Sequence, residues 1–202
     1  VVKNATVPVI ETGAGICHLY IDKDADMTKA LNIAVNAKIQ RPSVCNAIET
    51  ILVHKDVAKE FLTQLKPLFE KVEIKGDDLT CKIINCEHVE ANSYATEYDD
   101  YIVNIRVVDS IEQAIDHIYK YSTKHSESII TENKEAAELF MNAIDSACVY
   151  HNASTRFSDG GEFGFGAELG ISTQKLHARG PLGLKEMCSY QYKIEGNGQV
   201  RE

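Results

Sequence analysis

The sequence predicts an α/β fold in which a mainly parallel sheet is flanked by helices. Short apolar runs of strand type alternate along the chain with amphipathic segments of helical spacing. Strands that are joined through helices pair most readily in parallel, and helices then cover both faces of the sheet. A chain of 202 residues is long enough for one or two domains with a substantial buried core.

The first predicted element is a buried strand at 7–10, followed by a small-residue turn at 13–15 and a second strand at 16–21. The turn contains Gly-x-Gly, but a strand follows it, whereas a dinucleotide-binding turn opens a helix. A domain seldom begins with a buried strand, so we expect an upstream portion of the protein. The apolar stripe from Met27 to Lys38, which has an acidic start, predicts the first helix.

The remainder of the chain continues the alternation. Further strands are predicted at 50–54, 71–74, 82–84, 101–108, 128–130 and 147–150, and further helices at 57–69, 111–118 and 133–144. Ser110 and Gln113 form the sequence pattern of a capping box, which indicates where one of these helices begins.

Composition excludes several classes of function. Lys plus Arg is 21 and Asp plus Glu is 30, giving a net charge of −9, and a chain this acidic without a basic run is a poor nucleic-acid binder. No apolar run approaches the ~20 residues of a membrane span. The six cysteines show no paired C-x-x-C, which indicates reduced thiols and a cytoplasmic setting. Cys81, Cys86 and His88 lack a fourth ligand at usable spacing, so we expect no metal site.

The segment 40–50 places Cys45 just after an Arg-Pro turn and just before a strand. Pro42 cannot continue the preceding helix, so the chain must turn there. A thiol acts as a nucleophile only as thiolate, and Arg41 is the nearby cation that we expect to favour the anion. The alternative is a small buried thiol that serves only packing.

A second unusual stretch, 152–170, is dense in glycine and polar side chains, and a polar loop follows it to residue 181. Such a stretch makes a poor core, but its backbone can approach a ligand closely. Arg156, Lys175 and Arg179 could bind carboxylate or phosphate, which match a guanidinium fork. Each could also be an ordinary surface charge; their clustering in glycine-rich loops favours the ligand interpretation.

Six segments together resemble one family. They are Glu11-Thr-Gly-Ala-Gly, Asp24-Ala-Asp26, the Arg-Pro-Ser-Val-Cys-Asn-Ala-Ile-Glu-Thr run around Cys45, Thr96-Glu97-Tyr98, Asn152-Ala-Ser-Thr-Arg, and Gly170-Ile-Ser-Thr-Gln-Lys-Leu-His-Ala-Arg-Gly-Pro. The chain resembles the gamma-glutamyl phosphate reductases, or glutamate-5-semialdehyde dehydrogenases, of the aldehyde dehydrogenase superfamily. The resemblance covers essentially all 202 residues and implies an aldehyde-dehydrogenase-like catalytic domain.

The resemblance implies the NADPH-dependent reduction of L-glutamyl 5-phosphate to L-glutamate 5-semialdehyde and phosphate, a step of proline biosynthesis, through a cysteine thioester. It implies that Cys45 is the nucleophile and that Glu97 contacts the nicotinamide ribose. Glu11 matches the general base of aldehyde-oxidising relatives, although a reductase does not need the water that this base activates. The implied contacts to the α-carboxylate and phosphate of the substrate are Ser154, Thr155, Arg156 and Arg179.

The same resemblance implies a division of the protein. Residues 1–188 are expected to be the catalytic, thiol-bearing domain and 189–202 an oligomerisation strand and tail, with most of the NADPH site in an absent upstream domain. We therefore expect a homo-oligomeric full-length enzyme and an inactive isolated chain. Two alternatives remain open: the same domain of a bifunctional protein that also carries glutamate kinase, or a non-catalytic assembly module.

Overall fold

The computed structural model describes residues 2–90 and 92–202, and its centre is one seven-stranded sheet. The strands are β1 Cys17–Ile21, β2 Ile48–His54, β3 Glu73–Gly76, β4 Glu87–His88, β5 Ile102–Val108, β6 Ser126–Ile130 and β7 Cys148–His151. Their spatial order is β4-β3-β5-β2-β1-β6-β7, and neighbouring strands in this sheet all run parallel. The predicted α/β fold with a mainly parallel sheet is confirmed.

Helices cover both faces of this sheet. They are α1 Met27–Ile39, α2 Lys55–Leu68, α3 Asp78–Ile83, α4 Ile111–Tyr121 and α5 Lys134–Ala143. Leu19 and Ile21 of β1 pack toward the side of α1 and α2, whereas Tyr20 packs toward α4 and α5. Successive side chains of a strand point to opposite faces, so one apolar run supplies two separate cores. No helix in the described ranges combines the length and apolar character that crossing a membrane requires.

The helix starts follow local capping. Asp26 accepts a hydrogen bond from the Lys29 N–H at 2.9 Å and begins α1 where the acidic start predicted it. Ser110 Oγ accepts from the Gln113 N–H at 3.4 Å at the start of α4. The Gln113 side chain, however, accepts the N–H of Asp109 at 2.9 Å, one residue before the position that a capping box requires.

Two predicted strands are wrong because the local chemistry favours other structure. Residues 7–10 form no strand: Val7 is 68% exposed, Pro8 has no N–H to donate, and the nearest pairing is a single bridge from Thr12 to Ser172. Residues 82–84 belong mostly to α3, because Asp77 accepts the Thr80 N–H at 2.9 Å and caps a helix there.

The predicted C-terminal strand is also absent from the described residues. Tyr190, Tyr192 and Ile194 are each at least 80% exposed and pair with no other strand. Alternation of apolar and polar residues specifies a strand only where a neighbouring strand completes the hydrogen bonds. Upstream of this tail, Gly170–Ser172 (β8) and Gly180–Leu182 (β9) form a small antiparallel ribbon.

Candidate active site

Cys45 lies on a turn between α1 and β2, at the amino-terminal edge of the sheet. The Ala47 N–H donates to the Val44 carbonyl at 2.9 Å and closes the turn. Gly15 approaches so closely that a Cβ atom built there would lie 1.6 Å from the Cys45 carbonyl oxygen. The Cys17 thiol donates to that same oxygen at 3.2 Å. The entry to β1 therefore holds the Cys45 turn, and only glycine fits at position 15.

A loop after β7 supports the turn from the other side. Thr155 Oγ1 donates to the Asn46 carbonyl at 2.6 Å, and Asn46 Nδ2 donates to the Ser158 carbonyl at 2.8 Å. Ser154 Oγ accepts the Arg156 N–H at 3.3 Å and caps a short 3₁₀ turn. Ser154 and Thr155 are buried, and both hydroxyl groups make hydrogen bonds within the protein.

Arg156 is held by neutral acceptors. Its guanidinium donates from Nη1 to Asn46 Oδ1 and from Nε to Gln40 Oε1, the latter at 2.7 Å. No carboxylate of the described residues lies within ion-pair distance of it. The side chain borders an open pocket of about 180 Å³, lined also by Asn36, Gln40, Phe157, Asp159 and Glu162. A guanidinium that borders open space and has no carboxylate in direct contact suits an anionic ligand, although the charge of Asp159 also acts on it.

The Cys45 thiol is half-buried, and its surroundings disfavour the thiolate. Burial raises the pKa of this thiol, and the negative charges of Glu168 and Glu97 raise it further. Its own backbone N–H and the Arg156 guanidinium act in the opposite direction. Arg41, the cation that the sequence suggested, is exposed, and the cation that lowers the pKa of this thiol is Arg156.

Two carboxylates face this region from separate loops. Glu97 Oε1 accepts the Gly15 N–H at 2.7 Å, so the glycine that contacts the Cys45 turn also orients Glu97. Glu168 Oε2 accepts the Gly160 N–H at 2.7 Å within the glycine-rich stretch. Sequence reasoning singled out Glu97 but missed Glu168 and Asn46. The available signals were the position of Asn46 directly after the thiol and that of Glu168 among closely spaced glycines.

Glu11 and Arg179 make their contacts elsewhere. Glu11 is exposed, and its backbone N–H donates to Gln174 Oε1 at 2.8 Å; the described hydrogen bonds include none from Glu11 to the Cys45 turn. Arg179 donates to Asp145 Oδ1 and to the Asp145 carbonyl, both at 2.8 Å. Lys175 Nζ binds the other Asp145 oxygen at 2.7 Å. The structure thus joins Arg179 and Lys175 to Asp145, while Arg156 is held by Asn46 and Gln40.

The segment that carries Cys45 is fastened at both ends by a buried ion pair. Lys38 Nζ at the end of α1 lies 3.0 Å from Glu49 Oε2 at the start of β2, and both side chains are at most 1% exposed. Burial raises the pKa of the Glu49 carboxyl to about 7, although Lys38 attracts the charged form. Lys38 appeared in the sequence as part of an apolar helical stripe; its burial is explained by this partner.

The sheet and its helices have the same fold as solved structures of aldehyde dehydrogenases and gamma-glutamyl phosphate reductases. An acetylating aldehyde dehydrogenase from Geobacillus thermoglucosidasius shares this fold with a TM-score of 0.71 at 12% identity, over 96% of this chain and 54% of that one. A gamma-glutamyl phosphate reductase from Thermotoga maritima superposes with a TM-score of 0.93 at 52% identity, over 99% of this chain and 49% of that one.

Sequence comparison agrees with the structural one. Gamma-glutamyl phosphate reductase of Petrotoga mobilis is 61% identical over 202 residues, covering 99% of this chain and 49% of the relative. That of Limosilactobacillus reuteri is 59% identical over 205 residues, covering 100% of this chain and 50% of the relative. No protein-family model matches the chain. The chain is therefore a homologue of the gamma-glutamyl phosphate reductases, and it spans about half the length of these curated relatives.

Proposed function

We propose that this chain is the thiol-bearing half of an NADPH-dependent enzyme that reduces L-glutamyl 5-phosphate to L-glutamate 5-semialdehyde and phosphate in proline biosynthesis. The observation that carries the proposal is the half-buried Cys45 thiol beside Arg156, a guanidinium without a carboxylate partner. The relatives that cover the whole chain are named for this reductase activity. The proposal assigns residues 1–188 to catalysis.

The Cys45 sulfur provides the nucleophile. As thiolate it attacks the acyl carbon of the substrate; an S–C bond forms, the C–O bond to phosphate breaks, and phosphate leaves with the electron pair. The Cys45 backbone N–H is one donor for the developing oxyanion. NADPH, when bound, supplies the hydride that takes the resulting thioester to the aldehyde level. The proton of the thiol must leave before attack, and the carboxylates whose charges act on this thiol are those of Glu168 and Glu97.

The remaining residues take different roles in this proposal. Arg156 binds the phosphate or α-carboxylate of the substrate through its guanidinium, and Ser154 and Thr155 hold the loop that positions it. Arg179 binds substrate only if an anion displaces Asp145. Glu11 has no required role in reduction, and its exposed position is consistent with that.

The cofactor would meet this chain at Glu97. Its carboxylate is part-buried, oriented by the Gly15 N–H and adjacent to the Cys45 turn, so it fits a hydrogen bond to a ribose hydroxyl. The proposal places the rest of the NADPH site in the half of the enzyme that this chain does not span. It further assigns the exposed apolar side chains of 189–202 to a contact between subunits of a homo-oligomer.

The test is Cys45→Ala in the full-length enzyme that contains this chain. Turnover should fall at least roughly 1,000-fold, because no other group replaces the nucleophile, while NADPH binding stays within about threefold. Cys188→Ala removes an exposed thiol and is the matched control with unchanged turnover. Turnover of the Cys45 variant within a few-fold of the parent would overturn the proposal.

A further inference from the structure

Cys81 and Cys86 bring two sulfur atoms together at the edge of the sheet farthest from β7. Cys81 lies on α3, and Cys86 lies in the connection between α3 and β4. Their Sγ atoms are 3.1 Å apart, and neither residue is fully buried. A disulfide needs the two sulfurs about 2.05 Å apart, so an approach of about 1 Å would allow the bond to form.

The packing around the pair favours uncharged sulfur. Cys81 Sγ lies 3.4 Å from the Gly76 carbonyl oxygen and 3.6 Å from each of the Cys86 and Glu87 carbonyl oxygens. Burial and the neighbouring Cys81 thiol raise the pKa of Cys86 to about 12. A disulfide carries no charge and requires no proton there.

The same surroundings argue against other roles for these thiols. A metal ligand must be thiolate, and the described residues contain no group of three or more side chains that could hold a metal ion. A Cβ atom at Gly76 would lie 2.7 Å from Cys86 Sγ, so glycine provides the space in which the two sulfurs meet. Among the described residues, no other two cysteine sulfurs are within hydrogen-bonding distance.

We propose that Cys81 and Cys86 are a reversible dithiol–disulfide site that reacts with low-molecular-weight disulfides such as oxidised glutathione. One cysteine, as thiolate, attacks the small disulfide and forms a mixed disulfide, releasing one glutathione thiolate. The second cysteine, as thiolate, then attacks the protein sulfur of the mixed disulfide and releases the other. Two cysteine thiols lose two electrons, the small disulfide gains them, and the two cysteine protons end on the released thiols.

The disulfide would fasten α3 to β4, the two-residue strand at one edge of the sheet. Two strands, β3 and β5, separate β4 from β2, which follows the Cys45 turn. At about 4.8 Å per strand this separation is roughly 14 Å. We therefore expect oxidation at Cys81 and Cys86 to leave the Cys45 turn in place, and this inference does not depend on the proposed function.

The experiment treats the folded chain with oxidised glutathione at about pH 8.5, where thiolate is more abundant, and then alkylates the remaining thiols. Mass spectrometry should show the loss of two hydrogen atoms, four alkylated cysteines of the six in the chain, and a cross-link between the peptides of Cys81 and Cys86. Dithiothreitol should restore all six. The reaction should slow as the pH falls, because the attacking species is the thiolate and its fraction falls with the pH.

Two variants make the result decisive. Cys188→Ser, which removes an exposed thiol, should still form the cross-link at the parent rate. Cys81→Ser should instead stop at a glutathione adduct on Cys86 or remain unmodified. A stable glutathione adduct on the parent chain without the cross-link, or a cross-link that forms only in denaturant, would overturn the proposal.

Discussion

Arg156 and Arg179 both lie in loops after β7, yet their guanidinium groups meet different acceptors. Arg156 is held by the amide oxygens of Asn46 and Gln40, which orient it without neutralising its charge. Arg179 is held by Asp145, which also binds Lys175. The first arrangement leaves Arg156 beside a pocket without a direct ion pair, with Asp159 acting on it only from farther away, whereas in the second Asp145 contacts Arg179 directly.

The difference separates a group available to a ligand from one that stabilises the structure. A guanidinium held by neutral amides can bind an anion without breaking an existing ion pair. An anion that binds Arg179 must first displace the Asp145 carboxylate. Asp145 follows α5, and Arg179 directly precedes β9. We therefore expect Arg156 to act on substrate and Arg179 to fasten the β8–β9 ribbon to the main sheet.

The largest effect expected from this comparison is on substrate use by the full-length enzyme. Arg156→Ala should lower kcat/KM for glutamyl phosphate by roughly 100-fold, because truncating one partner of a desolvated charge pair costs about 3 kcal/mol. Arg179→Ala should change it by less than about threefold. Steady-state kinetics on both variants measures the two losses in kcat/KM. Equal losses for the two variants would show that Arg156 and Arg179 do not differ in their role.

A smaller effect is expected when Arg156 is given the kind of partner that Arg179 has. Gln40→Glu keeps the side-chain shape but places a carboxylate against Arg156 Nε. We expect KM for glutamyl phosphate to rise by roughly tenfold or less, because Gln40 is exposed and solvent screens the new charge. KM for NADPH should stay unchanged. Gln40→Ala is the control, because it removes the hydrogen bond to Arg156 without adding charge. An equal rise in KM in Gln40→Ala would show that the effect comes from the lost orientation of Arg156 and not from the added charge.

The smallest effect is on the pH dependence of stability. Lys175 and Arg179 hold the pKa of Asp145 well below its usual range. A carboxyl whose pKa is depressed in the folded state contributes stability above its unfolded pKa of about 3.9, and this contribution is lost as the pH falls through the folded pKa. Asp145→Asn should therefore be slightly less stable than the parent at neutral pH. The difference should begin to shrink as the pH falls below about 3.9, and it should vanish only below the depressed folded pKa of Asp145.

Urea unfolding at several pH values measures this difference. Asn46→Ser, which alters the acceptor of Arg156, introduces no titrating group, so its stability difference from the parent should not vary between about pH 3 and 7. A parent-to-variant difference for Asp145→Asn that stays constant over the same range would show that the ion pair contributes nothing to folding.

Much of the architecture follows from residues close together in sequence. The stripe from Met27 onward and its acidic start predicted α1, and the alternation of apolar runs with such helices predicted the parallel sheet. The strand predicted at 82–84 failed because Asp77 caps a helix there, a local signal that competed with β-type side chains. The strand expected from the start of the 189–202 segment is not formed in the single chain, because strand formation depends on a partner, which sequence spacing does not supply.

By itself, the sequence determined the α/β class and the turn at Pro42 that presents Cys45. It also identified Arg156 and Arg179 as candidate ligands for an anionic group. Only the tertiary structure decided which acceptor each arginine has. Arg156 meets Asn46 across 110 positions of sequence, and Arg179 meets Asp145 across 34. Periodicity and capping depend on neighbours a few residues apart, whereas the charge that a guanidinium presents depends on groups that folding brings to it from distant parts of the chain.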